Sequence, residues 1–218
     1  MLRWLCLALP LAGFFACQGD ENVPAPGDTG FDSATYCSAN PKANGCCYEE
    51  ATHVIDFEDV ANETLVPLAN RYGRKGVEFM SGSNGPYVVT EKFNGNQIGN
   101  AAVSGENALL IGFNNVPVRV VFVNPDGGGK GTTNHVSGTV GDKSDETDMI
   151  ILKAYDFHGN QIAADTFVSQ PSGKAGDHDF GEVSVDTAGI YYVTFEDTST
   201  SGANLDDFTY GCIRYRLR

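Results

Sequence analysis

Tryptophan is close to absent. The one indole of the chain, Trp4, lies in an apolar amino-terminal stretch, so a mature form lacking that stretch has no indole on which to stack a sugar or a base. Basic residues are scarce as well: 14 Lys and Arg stand against 28 Asp and Glu, for a net charge of −14. Such a surface repels phosphate backbones, which need Lys and Arg for neutralisation, and this argues against a nucleic-acid partner. Beyond the amino-terminal stretch no segment approaches the ~20 apolar residues of a membrane-spanning helix. Catalytic signatures are missing too. His53, His135, His158 and His178 form neither an H-E-x-x-H nor an H-x-H group, and G-x-S-x-G does not occur. The sequence GDHDFG around His178 reads as a polar turn. NPDGGGKGTTN (124–134) fails as a phosphate-binding loop, because Gly131 follows Lys130 where Ser or Thr is needed and no helix follows. A flexible hairpin loop is expected there, and no nucleotide.

What is present begins with MLRWLCLALPLAGFFAC (1–17), one positive charge (Arg3) followed by an almost unbroken apolar run. That is the layout of a signal peptide, too short at about 13 apolar residues to span ~30 Å of hydrocarbon. Ala16 before Cys17 resembles the lipobox of bacterial lipoproteins, with Phe14 where that family usually has Leu. The resemblance implies that residues 1–16 are removed and that Cys17 is acylated, so that the protein lies on a bilayer without crossing it. Gln18 in place of Asp after that cysteine favours the outer membrane or cell surface. Plain secretion with cleavage near Ala16 is the alternative.

Residues 17–36, rich in Gly, Pro, Asp and Ala, have no period and read as a disordered tether. Residues 37–52 form a small cysteine-bearing cap. Of the six cysteines, Cys6 leaves with the leader and Cys17 carries lipid, which leaves Cys37, Cys46, Cys47 and Cys212. An even number in an exported chain argues for two disulfides. Adjacent Cys46 and Cys47 do not bridge each other comfortably, so one is expected to pair with Cys37 and the other with Cys212.

From residue 53 to 218 the chain breaks into short runs dense in Val, Ile, Phe, Tyr and Thr, among them HVIDFE, VPVRVVFV, MIILKAYDF and IYYVTFE, each ended by Gly, Asn, Asp or Pro. Turn signals about every dozen residues mark an all-β chain, and no window has the period of a useful amphipathic helix. YDFHGNQI reads as a hairpin turning at 158–160. Alternation in VPVRVVFV and IYYVTFE leaves one face of each strand to bury. The architecture that does so is an all-β, two-sheet antiparallel β-sandwich of jelly-roll type.

Two acidic motifs stand near the domain's ends, VIDFED (54–59) and NLDDFTY (204–210), the second followed by Cys212. This pairing is similar to the family of galactose-binding-like jelly rolls, which includes MAM adhesion domains and many carbohydrate-binding modules. The resemblance implies acidic first and last strands lying side by side and sharing a structural calcium. The residues agree with it: strand alternation would send Asp56 and Glu58 to one face, and clustered carboxylates repel one another unless a cation with oxygen ligands joins them. Glu58, Asp207, Asp56 and Asp206 are the candidate ligands, in that order, with only one of the adjacent Asp206 and Asp207 ligating if the strand is regular. Solvated strand-end acids are the plainer reading of the same residues.

The expectation is thus a membrane-anchored extracytoplasmic binding or adhesion module, not an enzyme, with a structural Ca²⁺, recognising a glycan or a surface protein through its loops. Any stacking platform must come from Tyr87, Tyr155, Tyr191, Tyr192 or Tyr210. A carboxylate-dependent glycoside hydrolase of envelope polysaccharide and a purely structural envelope lipoprotein are the rivals.

Overall fold

The β-branched and aromatic runs become strands throughout a computed structural model that describes residues 52–60, 66–67, 71–81, 87–90, 92–93, 96–97, 104–124, 129–142, 147–170, 179–199 and 202–215. The expected leader, acylated Cys17, tether and cysteine-bearing cap up to residue 51 lie outside the described residues, as does the turn at His178. The strands are β1 (His53–Ile55), β2 (Val66–Pro67), β3 (Val77–Met80), β4 (Tyr87–Thr90), β5 (Lys92–Phe93), β6 (Asn96–Gln97), β7 (Asn107–Ile111), β8 (Val118–Phe122), β9 (Gly131–Asp142), β10 (Met149–Tyr155), β11 (Gln161–Val168), β12 (Asp179–Ile190), β13 (Tyr192–Asp197), β14 (Ala203–Tyr210) and β15 (Arg214–Tyr215). Among the described residues the only helical elements are two 3-10 turns, Gly73–Lys75 and Phe113–Asn115.

Two large antiparallel sheets result, beside a small β5-β6 pair. One runs β12-β9-β14-β7-β4-β2, with β1 also pairing β14 and β15 also pairing β9; the other runs β11-β10-β13-β8-β3. Their inner faces meet in one core. Ile55, Leu109, Val136, Val183 and Phe208 come from the larger sheet, and Val77, Phe79, Val120, Leu152 and Phe195 from the smaller, all of them buried. Phe208 bridges the layers, edge-on to Phe79 at 5.5 Å and to Phe195 at 6.1 Å. This is the all-β sandwich expected, and its first and last long strands do lie together: Val54 opposes Thr209 and Ile55 opposes Phe208.

Two local readings need correction. The expected loop over 124–134 does not reach its far end, because Gly131–Asp142 is already strand and Lys130 bridges Val123. The run VIDFED is strand only to Ile55; Phe57 takes φ 61 and the chain turns there.

The hairpin in YDFHGNQI forms as expected, and Asp156 is what shapes it. Its Oδ1 accepts the His158 and Asn160 N–H groups at 2.8 and 2.9 Å, and its Oδ2 accepts the Asn160 side-chain amide at 3.0 Å. The Asn160 side chain, then its N–H, hold the carboxyl below its ordinary 3.8. A depressed carboxyl stabilises the fold above its ordinary value and ceases to do so as pH falls through the folded one. The melting-temperature difference between wild type and Asp156→Asn should therefore be largest at neutral pH and shrink steadily below about pH 4, as thermal unfolding across a pH series would read.

Candidate functional site

Strand β14 changes neighbours half-way along one edge. Its first half, from Ala203 to Leu205, pairs with β7, and its last residues, from Phe208 to Tyr210, pair with β1. Asp206 and Asp207 sit at the hand-over, where the ladder to β9 also shifts register. Asp207 is in the left-handed region at φ 47. A side chain of Asp tolerates that conformation better than most.

Two loops fill the gap, residues 56–60 after β1 and residues 104–106 before β7, and carboxylates tie them down. Glu58 Oε1 accepts the N–H groups of Glu106 and Asn107 at 2.9 and 2.8 Å. Asp206 Oδ2 accepts the Ser104 N–H at 2.8 Å, while the Ser104 hydroxyl donates to Asp207 Oδ1 at 2.8 Å. Gly105 lies between them at φ +62, and a Cβ there would stand 2.3 Å from the Glu58 carboxyl carbon. Only glycine lets the loop close over that carboxylate.

Asn107 is fully buried below this junction. Its Nδ2 donates to the Phe57 and Val60 carbonyls at 3.3 and 3.1 Å, but its Oδ1 is buried without a hydrogen-bond partner. A buried acceptor left unmatched costs about 1–3 kcal/mol, so this oxygen marks a place where a donor or a cation is wanted. No ion pair among the described residues involves Glu58 or Asp207. The basic side chain in this region, Arg71, is turned to Asp59. Burial would raise the Asp59 carboxyl, but the Tyr72 hydroxyl and then Arg71 outweigh it and hold it below its ordinary 3.8. The Tyr72 hydroxyl, buried and facing that carboxylate at 2.5 Å, is pushed up strongly.

Three of the four expected acidic residues therefore meet around one short segment, but not as alternation implied. Asp56 and Glu58 do not share a strand face; Asp56 is exposed, and its Oδ1 accepts the Glu58 N–H at 3.3 Å as part of the turn. Asp206 and Asp207 do not point apart along a regular strand, for the irregularity lets both reach Ser104. Among the described residues no three His, Cys, Asp or Glu side chains form a metal-binding group. Asn107 and Ser104 carried no motif, and what could have singled them out is the Gly105 between them. Cys212 is buried and disulfide-bonded; its partner, and so the connectivity, lies outside the described residues.

A second cluster lies at the end of the five-stranded sheet where β10 turns into β11, with Tyr155, Tyr192 and Arg119 on the sheet's outer face. Tyr155 and Tyr192, opposite each other on β10 and β13, stack at 4.6 Å and 10°. From the other neighbour of β13 comes Arg119, its guanidinium carbon 3.7 Å from the centre of the Tyr192 ring. Tyr192 is thus sandwiched. Beside it, Tyr191 meets Tyr192 edge-on at 5.9 Å and stacks with Phe157 at 4.5 Å, and Lys130 lies 4.9 Å from the Tyr191 ring centre. The three tyrosines are half-exposed; Arg119 and Lys130 are exposed. Of the other candidate tyrosines, Tyr210 is fully buried in the core, and the side chain of Tyr87 lies outside the described set.

No protein-family model matches the sequence, and no curated protein matches it. Several solved structures resemble the chain over most of their length. A DUF4465-family protein from Bacteroides caccae superposes with a TM-score of 0.49 at 13% identity, over 74% of this chain and 99% of that one. The K2 cleaved adhesin domain of Lys-gingipain gives 0.47 at 12% identity, over 73% and 97%. A xylan-binding domain of carbohydrate-binding-module family 22 gives 0.43 at 15% identity, over 79% and 97%.

Proposed function

We propose that the chain is a non-catalytic, membrane-anchored extracytoplasmic module that binds a glycan, with a calcium ion supporting the junction at β14. The observation that carries the binding reading is the partly exposed aromatic cluster at one end of the five-stranded sheet, Tyr155, Tyr192 and Arg119 on its outer face with Tyr191, Phe157 and Lys130 beside them, none of which belongs to the buried core. Half-exposed tyrosines beside exposed cations offer apolar edge, hydroxyl and N–H donors together, which is the mix that hydroxylated rings bind. The binding surface is then the sheet face, reached from the β10–β11 turn, more than the loops. Anchoring through Cys17 rests on the leader sequence.

Calcium is supported by the chemistry of the junction. Glu58, Asp206 and Asp207 bring negative charge to one segment, and Asn107 Oδ1 adds a hard, neutral oxygen with no other partner. As they stand these side chains do not converge into a ready-made metal group; an ion there would have to draw the carboxylates and Asn107 Oδ1 together, and in doing so would neutralise their repulsion and fix the two loops. Asp56, engaged in its own turn, is outside the set. Glu58 Oε1, the leading candidate of the hydrolase reading, serves here as acceptor for two main-chain donors that tie down a loop.

Retention on a panel of immobilised neutral and acidic polysaccharides, with thermal unfolding in calcium or chelator, tests both parts. Binding to at least one polymer, weakened in Tyr192→Ala with the fold intact, is expected. Calcium at about 100 times its Kd should add about 2.7 kcal/mol of stability. Silence on every polymer would overturn the glycan reading, and an unchanged melting temperature would remove the calcium.

A further inference from the structure

The chain spends few of its basic residues, and where it leaves them is informative. Lys153 on the same outer face is matched: its Nζ donates to Glu196 Oε2 at 2.6 Å. Arg119 and Lys130 have no carboxylate partner among the described residues, in a protein with 28 acidic side chains to choose from. The other acid on this face, Glu78, stands on β3 opposite Val121 and makes no ion pair with either.

Each of the two cations is instead held against aromatic rings. A guanidinium carbon 3.7 Å from a ring centre is in van der Waals contact with the ring's face. Stacking uses the face of the guanidinium and leaves its N–H donors, which lie in the plane, directed outward as a fork that fits a carboxylate or sulfate. The same geometry counts against a neutral sugar stacked on Tyr192. One face of that ring is covered by Tyr155 and the other by Arg119.

Building on the glycan-binding reading, we infer that the ligand is an acidic polysaccharide, whose carboxylate or sulfate groups are taken by Arg119 and Lys130 beside the tyrosine stack. Lys130 reaches the cluster from the start of β9 and Arg119 from β8, so the two cations flank the pair Tyr191 and Tyr192 and can engage separate acidic groups along one chain.

The test is affinity electrophoresis of the full chain through polygalacturonate, dextran sulfate and neutral galactan, with Arg119→Gln, Lys130→Gln and the double variant beside wild type. Both side chains are exposed, so the variants are expected to fold, and circular dichroism checks it. Wild type should be retarded by at least one acidic polymer well beyond galactan. Each single variant should lose about tenfold in affinity, the worth of one charge-assisted contact. Arg119→Lys should recover part of it, since the charge remains without the fork. Retardation by polygalacturonate alone identifies a uronate, by dextran sulfate alone a sulfate ester. Equal retardation by galactan, or acid binding that ignores both substitutions, overturns this inference and leaves the glycan module standing. Binding to none of the three, while another neutral polymer of the wider panel is retained, does the same; no retention on any polymer removes the module itself.

Discussion

Glu58→Ala should lower the melting temperature by roughly 2–12 °C, the shift that corresponds to about 1–3 kcal/mol in a domain of this size. The argument is one of donors left behind. Glu58 Oε1 is the acceptor for two consecutive main-chain N–H groups, those of Glu106 and Asn107, and Asn107 is fully buried. Water can replace the carboxylate at Glu106, which is exposed, but not easily at Asn107. On the proposed calcium site, the variant should also lose the stabilisation that added calcium gives wild type, because one of the proposed carboxylate ligands is gone. Gly105→Ala serves as the independent check. Its Cβ would overlap the Glu58 carboxyl at 2.3–2.8 Å, in a backbone conformation that alanine disfavours. It should therefore reproduce both losses without touching any acidic residue. If differential scanning calorimetry finds Glu58→Ala as stable and as calcium-responsive as wild type, the junction is ordinary loop structure and the acids there are only solvated.

How far these features were legible in the sequence depends on whether their cause was local. Alternation in VPVRVVFV and IYYVTFE sorts residues by face, and Val118, Val120, Val193 and Phe195 are indeed buried while Arg119 and Tyr192 look outward. The Asp156 turn was legible for the same reason, since every partner of its carboxylate lies within four residues. The acidic junction was half legible. VIDFED and NLDDFTY announce carboxylates at the two ends of the domain, but the strand stops at Ile55 and the ladder slips at Asp206, so alternation assigned their directions wrongly. Those breaks are decided by which strand β14 pairs with on each half of its length, a long-range fact. Asn107 and Ser104 were invisible because nothing in an isolated Ser or Asn tells that a strand opposite has no neighbour there. The outer-face cluster was invisible in another way. Each tyrosine was seen, but that Arg119, 73 positions before Tyr192 in the chain, would close the stack depends on β8 and β13 being neighbours.

The same long-range pairing makes Phe208 the side chain on which the sandwich depends most. It follows Asp207 on the stretch of β14 that pairs with β1, is fully buried, and meets Phe79 and Phe195 from the opposite sheet edge-on, with Tyr210 at 5.7 Å on its own strand. Phe208→Ala leaves a cavity between sheets whose aromatic neighbours are themselves fixed by other rings: Phe79 by Phe57 and Tyr72, at 5.7 Å each. A site so constrained collapses poorly, which places the loss toward the upper part of the range of about 3–5 kcal/mol for such truncations. Met80→Ala is the contrast, a large apolar residue 52% exposed on the edge strand of the smaller sheet, and should cost well under 1 kcal/mol. Since Phe57 belongs to the loop that carries Glu58, the slackened core should also loosen the acidic junction. On the proposed calcium site, calcium should then stabilise Phe208→Ala less than wild type, although no carboxylate has been altered. Chemical denaturation of the two variants with and without calcium reads all of this. A loss in Phe208→Ala no larger than in Met80→Ala would mean that the two sheets are not held together through this residue.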